Sequence, residues 1–311
     1  MKTEIRMKKL LALLLCMAFI NAGAATIAAA DPALRRHTVT VDGHPVALWE
    51  KSAANADEAV LLVHGRTWSA LPDFDLQVDG EDLSLMDGLV ERGYAVYAVD
   101  LRGYGETPRD ESGWLTPNRA ADDIAAVLRW IADVRAWHSR PHLFGWSMGS
   151  TLSQLSVQRH PGLAASLTLF GYWRDVDVKL PADAVDIKPA RLANTAEAAA
   201  SDFITPGSIS EAAVAGYVAA ALAADPVKVD IRDQDQYNAM DGAQIQLPTL
   251  VIYGALDPIA PAIFQEKLFR SIGSEHKQLV SVRGGDHAAF LEAPREYFLH
   301  ELVNFFSGAS M

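Results

Sequence analysis

Short β-branched runs alternate with helical stretches along most of this 311-residue chain, and that alternation constrains the fold more than any other feature. Strand-like Ala59–Val63, Ala95–Val99, His142–Trp146, Leu167–Phe170, Thr249–Tyr253 and Gln278–Val282 are separated by helix-like Leu83–Arg92, Asn118–Trp137, Met148–His160 and Ala260–Ile272, and a last helix ends near Phe306. Strands that take turns with helices pair in parallel, and the helices cover both faces of the sheet. The long helix carries its start signal: Thr116 is placed to cap it and Pro117 sits in the first turn, where a missing N–H costs nothing. Ile124, Val127, Leu128, Ile131 and Val134 follow the spacing of one buried face. Ahead of the alternation, His37–Val41 and Val46–Glu50 flank Asp42-Gly43, a hairpin turn with three to four intervening residues.

The pattern breaks at Gly171 and resumes at Thr249. The intervening segment is Ala-rich and helical in pattern over Glu197–Phe203 and Ser210–Ala224. An insertion this long, placed after a late strand, falls where the active-site loops of a parallel sheet lie, and it reads as a lid.

The first 30 residues read as a secretory leader: basic Lys2, Arg6, Lys8 and Lys9, an apolar run Leu10–Ile20, and a small-residue site at Ala22-Gly23-Ala24 or Ala28-Ala29-Ala30. The run is too short to span a bilayer, so an exported, periplasmic or secreted protein without a membrane anchor is expected. Its removal takes away Cys16, the single cysteine, and with it any disulfide, thiol nucleophile or Cys-based metal site. Lys and Arg number 27 against 39 Asp and Glu, for a net charge of −12, which disfavours nucleic acid and anionic membranes as partners.

Chemistry concentrates in Gly145-Trp146-Ser147-Met148-Gly149, with a strand before it and a helix after it. A serine on a sharp strand-to-helix turn stands clear of the backbone, the flanking glycines leave room for it, and the helix N-terminus favours a developing negative charge. A serine hydroxyl needs a base, and of nine histidines His287 lies in the loop after the last strand, at the sheet edge where Ser147 emerges. His37, His44, His138, His142, His160, His276 and His300 fall on opening strands, helices or connectors. The base needs a carboxylate to hold its tautomer. Asp257, just past the preceding strand and 30 residues before His287, is the expected partner; a helix-capping role is its alternative, and Asp286 is the rival acid. His64-Gly65-Arg66 follows the Ala59–Val63 strand, so the backbone N–H groups of Arg66 and Met148 are the expected oxyanion donors and His64 braces the turn.

With these residues in place the chain resembles the α/β-hydrolase family over Arg35 to Phe306: the order Ser147, Asp257, His287, the His64-Gly65 turn, and the loop Asp100-Leu101-Arg102-Gly103-Tyr104-Gly105 after a strand. The resemblance implies an α/β fold with an eight-stranded, mostly parallel sheet, helices on both faces, and a helical cap inserted after strand 6. Residues 31–170 and 248–311 then form the core and 171–247 the cap or lid. It also implies a serine esterase acting on a small-molecule acyl substrate, with no cofactor. The His64-Gly65 turn lacks the extra glycines of the triple-glycine lipases, which suggests the subgroup that prefers small to medium esters. Thr67 stands where proline is frequent and Ser150 where glycine is. Serine at the elbow, rather than aspartate, disfavours the haloalkane dehalogenase and epoxide hydrolase branches.

Other readings stay open on the same residues: amide, lactone or carbon–carbon hydrolysis, acyl transfer, perhydrolysis, or a non-catalytic binding protein of this fold. Trp68 and Trp146 are either pocket walls or core. Asp100 and Arg102 are expected as a buried ion pair bracing their loop. The Arg66 side chain is expected to pair with Asp73 or Asp75, a substrate carboxylate being the alternative. No metal site or phosphate-binding glycine loop is apparent.

Overall fold

Arg35–Val41 (β1) and His44–Ser52 (β2) form an antiparallel hairpin in which Val41 pairs directly with His44. Asp42 and Gly43 both have positive φ, 49° and 79°, the pair of left-handed conformations required by a two-residue type I′ turn. The turn is therefore shorter than the three to four residues expected, because Asp and Gly both tolerate that backbone region. The computed structural model describes residues 33–135, 139–184 and 187–309; the expected leader over residues 1–30 lies outside them, as does the expected end of the long helix at Trp137.

Six further strands follow: β3 (Ala59–Val63), β4 (Ala95–Val99), β5 (His142–Trp146), β6 (Leu167–Phe170), β7 (Thr249–Gly254) and β8 (Lys277–Val282). The sheet order is β1-β2-β4-β3-β5-β6-β7-β8, antiparallel through β1, β2 and β4 and parallel from there on. Every residue of β3, β4, β5 and β6 is buried, as in a sheet covered on both sides.

Eight helices complete the described chain: α1 (Ala70–Phe74), α2 (Leu85–Glu91), α3 (Pro117–Arg135), α4 (Met148–Arg159), α5 (Ala196–Ala200), α6 (Glu211–Ala224), α7 (Ala262–Ser271) and α8 (Arg295–Ala309). On one face of the sheet Leu61 and Val63 pack with Ile124, Leu128, Leu152 and Leu268 of α3, α4 and α7. On the other, Val60 and Leu62 pack with Leu89, Phe298 and Phe306 of α2 and α8. α2 begins where the Ser84 side chain accepts from the Asp87 amide, a cap worth about 1 kcal/mol. On α3 the buried stripe ends at Ile131, and Val134 is 52% exposed where the helix runs past the sheet.

Between β6 and β7 the chain leaves the sheet at Gly171 and carries α5, α6 and two short 3-10 turns, Gln234–Ala239 and Gly242–Gln244. The first helix stops at Ala200, short of the expected Phe203, and much of the rest is irregular, so the segment is less helical than its alanines suggest. Fixed points hold it to the core. Asp225 accepts from the Ser69 and Gly105 amides at 2.7 and 2.8 Å, and the Ser208 hydroxyl donates to Glu292 at 2.8 Å. Asp286 accepts from the Thr205 amide at 2.6 Å.

Candidate active site

β5 ends at Trp146 and α4 starts at Met148, which leaves Ser147 on the turn with φ 54° and ψ −116°. A left-handed φ costs a non-glycine residue about 1–3 kcal/mol and persists only where the surroundings dictate it. They do so here. A Cβ on Gly145 would come within 2.3 Å of the Gly149 carbonyl oxygen, and a Cβ on Gly149 within 2.2 Å of the Val63 carbonyl oxygen. Both glycines are thus steric requirements of the elbow.

His287, brought in by the loop after β8, is 4% exposed. Its Nε2 lies 2.8 Å from Ser147 Oγ and its Nδ1 2.7 Å from Asp257 Oδ2. The other oxygen of Asp257 accepts from the Ile259 and Ala260 amides at 2.8 and 2.9 Å, so the carboxylate is held from both ends. The Trp146 indole donates to the His287 carbonyl at 2.6 Å. Gly171, with φ 58°, closes the other side: a Cβ there would sit 3.1 Å from the imidazole Cε1. In the sequence Gly171 marks only where the alternation stops; its contact with His287 emerges from the fold. The rival Asp286 turns away from the ring to the Thr205 and Ala288 amides. Its neighbour Glu292 accepts from the Asp286 amide, and burial together with the Asp286 carboxylate pushes the Glu292 carboxyl up to about 8.

Beside Ser147 the turn after β3 completes the geometry. Gly65 lies against Trp146 and Ser147, where a Cβ would meet the indole at 3.3 Å. The Arg66 and Met148 amides have no acceptor among the described residues, and both residues line the same cavity as Ser147. His64 is fully buried, with Nδ1 2.8 Å from the Gly65 carbonyl and Nε2 accepting from the Leu101 amide at 3.1 Å. Burial drives its pKa down to about 4, so it is a neutral strut. Thr67 has φ 94°, a value closed to proline and rare for a β-branched residue. The threonine that departs from the family habit therefore fits a backbone that proline cannot follow.

The cavity, about 270 Å³, is walled by Trp146, Met148, Trp173, Ile231, Tyr237 and Ile259, with Arg66, Gln234 and Asp202 as its polar residues besides Ser147 and His287. Trp146 therefore stands in the wall, whereas Trp68 is 1% exposed in the core and is absent from the lining. Asp202 carries no sequence motif and is supplied by the insertion; burial raises its carboxyl to about 6. The Tyr217 hydroxyl reaches it at 3.2 Å and the buried Asp73 at 2.9 Å, and Asp73 in turn accepts weakly from the Gly65 amide at 3.4 Å.

Two expected pairings take another form. Asp100 and Arg102 are buried but not bonded to each other. Arg102 forks onto Asp123 at 2.6 and 2.7 Å, while Asp100 accepts from the Trp49 indole and from the Ala70 and Glu106 amides. Residues two apart on a turning loop point to different neighbours. Arg66 pairs with neither expected acid, because Asp73 is engaged by Tyr217 and Asp75 by Lys51 at 2.6 Å.

Residues 54–294 match the family model described as serine aminopeptidase, S33. The chain is 28% identical over 248 residues to the AB hydrolase superfamily protein YisY of Bacillus subtilis (strain 168), covering 72% of this chain and 85% of that protein. It is 27% identical over 146 residues to lysophospholipase L2 of Escherichia coli (strain K12), covering 45% of this chain and 40% of that protein. Among solved structures, the CarC serine hydrolase involved in carbazole degradation superposes with a TM-score of 0.64 at 18% identity, over 88% of this chain and 99% of that one.

Proposed function

The chain belongs to the α/β-hydrolase family described as serine aminopeptidase, S33, and from that membership we propose that it hydrolyses carboxylic esters through Ser147. The observation that carries the proposal is the unbroken relay from Asp257 to His287 to Ser147, at 2.7 and 2.8 Å. Those spacings suit a base within reach of the proton it must take and an acid that fixes the base's tautomer. In the reaction His287 takes the Ser147 proton as Oγ attacks the acyl carbon. The tetrahedral oxygen forms against the Arg66 and Met148 amides, and His287 returns the proton to the leaving alcohol. A water activated by His287 then releases the acid from the acyl-enzyme. The insertion acts as the cap, since Trp173, Asp202, Ile231 and Tyr237 from it enclose the serine. A leader over residues 1–30 fits export of the protein.

Intact-mass analysis after exposure to a fluorophosphonate, with Ser147→Ala alongside, tests the nucleophile. One adduct on the wild type and none on the variant is expected; adducts on both would remove Ser147 from the role. Ester, amide and lactone panels test the bond, and a preference for amides would overturn the ester assignment. A second reading rests on the partial match to lysophospholipase L2: the scissile ester belongs to a lysophospholipid, with the acyl chain against the apolar cavity wall.

A further inference from the structure

The polar groups of the cavity are unevenly divided. Ser147 and His287 bond each other and Asp202 accepts from the Tyr217 hydroxyl, but the Arg66 guanidinium makes no ion pair or hydrogen bond among the described residues. Its chain neighbour Gly65 packs on Ser147, and Arg66 itself lines the same cavity as the serine. Gln234 and Tyr237, both on the Gln234–Ala239 turn, line the cavity as well. Asp202, the carboxylate of the lining, is held by the Tyr217 hydroxyl at 3.2 Å. The cavity lining thus carries one unpaired cation, Arg66, and one carboxylate, Asp202, among mostly apolar residues.

An exposed guanidinium with no protein partner, on the wall of the cavity that holds the serine, is free to meet an anionic ligand there. We propose that Arg66 is a specificity-determining residue that selects esters carrying an anionic group, a carboxylate or a phosphate, and directs that group away from Asp202. The proposal deepens the esterase reading and rests on Ser147 as the nucleophile. Guanidinium meets carboxylate or phosphate through two parallel N–H bonds, which lysine cannot reproduce, while like charge at Asp202 disfavours the reversed orientation. Arg66 is exposed, so its contribution to selectivity is modest, about tenfold.

The test compares kcat/KM for mono-4-nitrophenyl glutarate with that for its methyl ester, the same chain with the charge masked. The wild type should prefer the charged ester. The ratio of the two should fall about tenfold in Arg66→Gln and further in Arg66→Glu, and Arg66→Lys should keep part of it. The same comparison between a lysophosphatidic acid and the matching monoacylglycerol separates a phosphate source from a carboxylate one; whichever pair depends on Arg66 names the source. Raising ionic strength should shrink the wild-type preference, a readout that needs no variant. A wild type that favours the neutral esters, or a ratio unmoved by Arg66→Glu, would overturn the proposal. Binding is read separately from turnover by tryptophan fluorescence in Ser147→Ala titrated with monoethyl glutarate, since Trp146 and Trp173 line the cavity. Tighter binding of the monoester than of diethyl glutarate, lost in Ser147→Ala with Arg66→Gln, supports Arg66 even if ester turnover is absent and the esterase reading fails. Equal binding of the two sinks it.

Discussion

The hydroxyl of Tyr217, on the insertion, lies 2.9 Å from Oδ1 of Asp73 in the core. A second carboxylate, Asp202, stands 3.2 Å from the same hydroxyl. A phenol has one proton and cannot donate to two carboxylates at once, so a fully ionised trio would leave one oxygen facing another without hydrogen between them. Burial raises the carboxyl of Asp73 well above its ordinary value and that of Asp202 to about 6; the Asp202 charge adds to the rise at Asp73, and Asp286 adds to that at Asp202.

Both acids therefore bind protons more readily folded than unfolded, so their effect is to lower stability as pH rises from about 4 toward 6 and beyond. Asp73→Asn removes the largest of these loads. Its melting temperature relative to wild type should be higher at pH 8 than at pH 5, the gap widening with pH. The protonated-carboxyl carbonyl band in the infrared spectrum near neutral pH should lose the Asp73 share of its intensity in the same variant, the Glu292 share remaining. A gap independent of pH would mean the trio holds no extra proton.

His64 works in the opposite direction. Its pKa falls from 6.5 to about 4 on burial, so the unfolded chain takes up a proton across that window and the native chain does not. Stability from this residue is complete above about 6.5 and is lost as pH falls toward 4, by up to about 3 kcal/mol. His64→Gln should be less stable at neutral pH but show a shallower acid limb in a pH series of urea midpoints. An identical slope would contradict a buried neutral imidazole.

Ser147→Ala should lower ester kcat by about 10³-fold or more, and Asp257→Asn by a comparable factor while leaving the melting temperature close to wild type. The second result bears on the acid: if Asp286→Asn cost as much as Asp257→Asn in kcat with the fold intact, Asp257 would lose its place in the relay.

Gly149→Ala places a methyl group 2.2 Å from the Val63 carbonyl oxygen, which is backbone and cannot swing aside. We expect destabilisation of about 1–3 kcal/mol together with loss of fluorophosphonate labelling, because the elbow must move. Gly43→Ala, where no atom lies within 4 Å and only the positive φ objects, should leave labelling intact.

What the sequence disclosed follows the range of the physics involved. The sheet was legible because β-branched runs and helix stripes are local signals, and the meeting of Ser147, His287 and Asp257 at one sheet edge was legible because each follows a strand whose end the pattern locates. Tertiary partners were not. Asp73 sits in a five-residue helix too short to show a period, and nothing near Asp202 or Tyr217 in the chain says that they meet it. The Arg102 partner, Asp123, lies on the next helix rather than two residues away at Asp100. In the insertion the expected helix Ser210–Ala224 appears as Glu211–Ala224 with Ser210 as its cap, whereas the one expected over Glu197–Phe203 stops at Ala200, because alanine favours helix without specifying where a helix must stop.

Asp225 grips amides of two core loops, at Ser69 and Gly105, from the end of α6. A carboxylate bound to backbone on both sides ties the insertion into the cooperative unit of the core, so the two should melt in a single transition. Excising residues 171–247 would then leave paired amides and an apolar face without their complement, and a minimal hydrolase made by deleting the segment should fail to fold rather than work with a more open pocket.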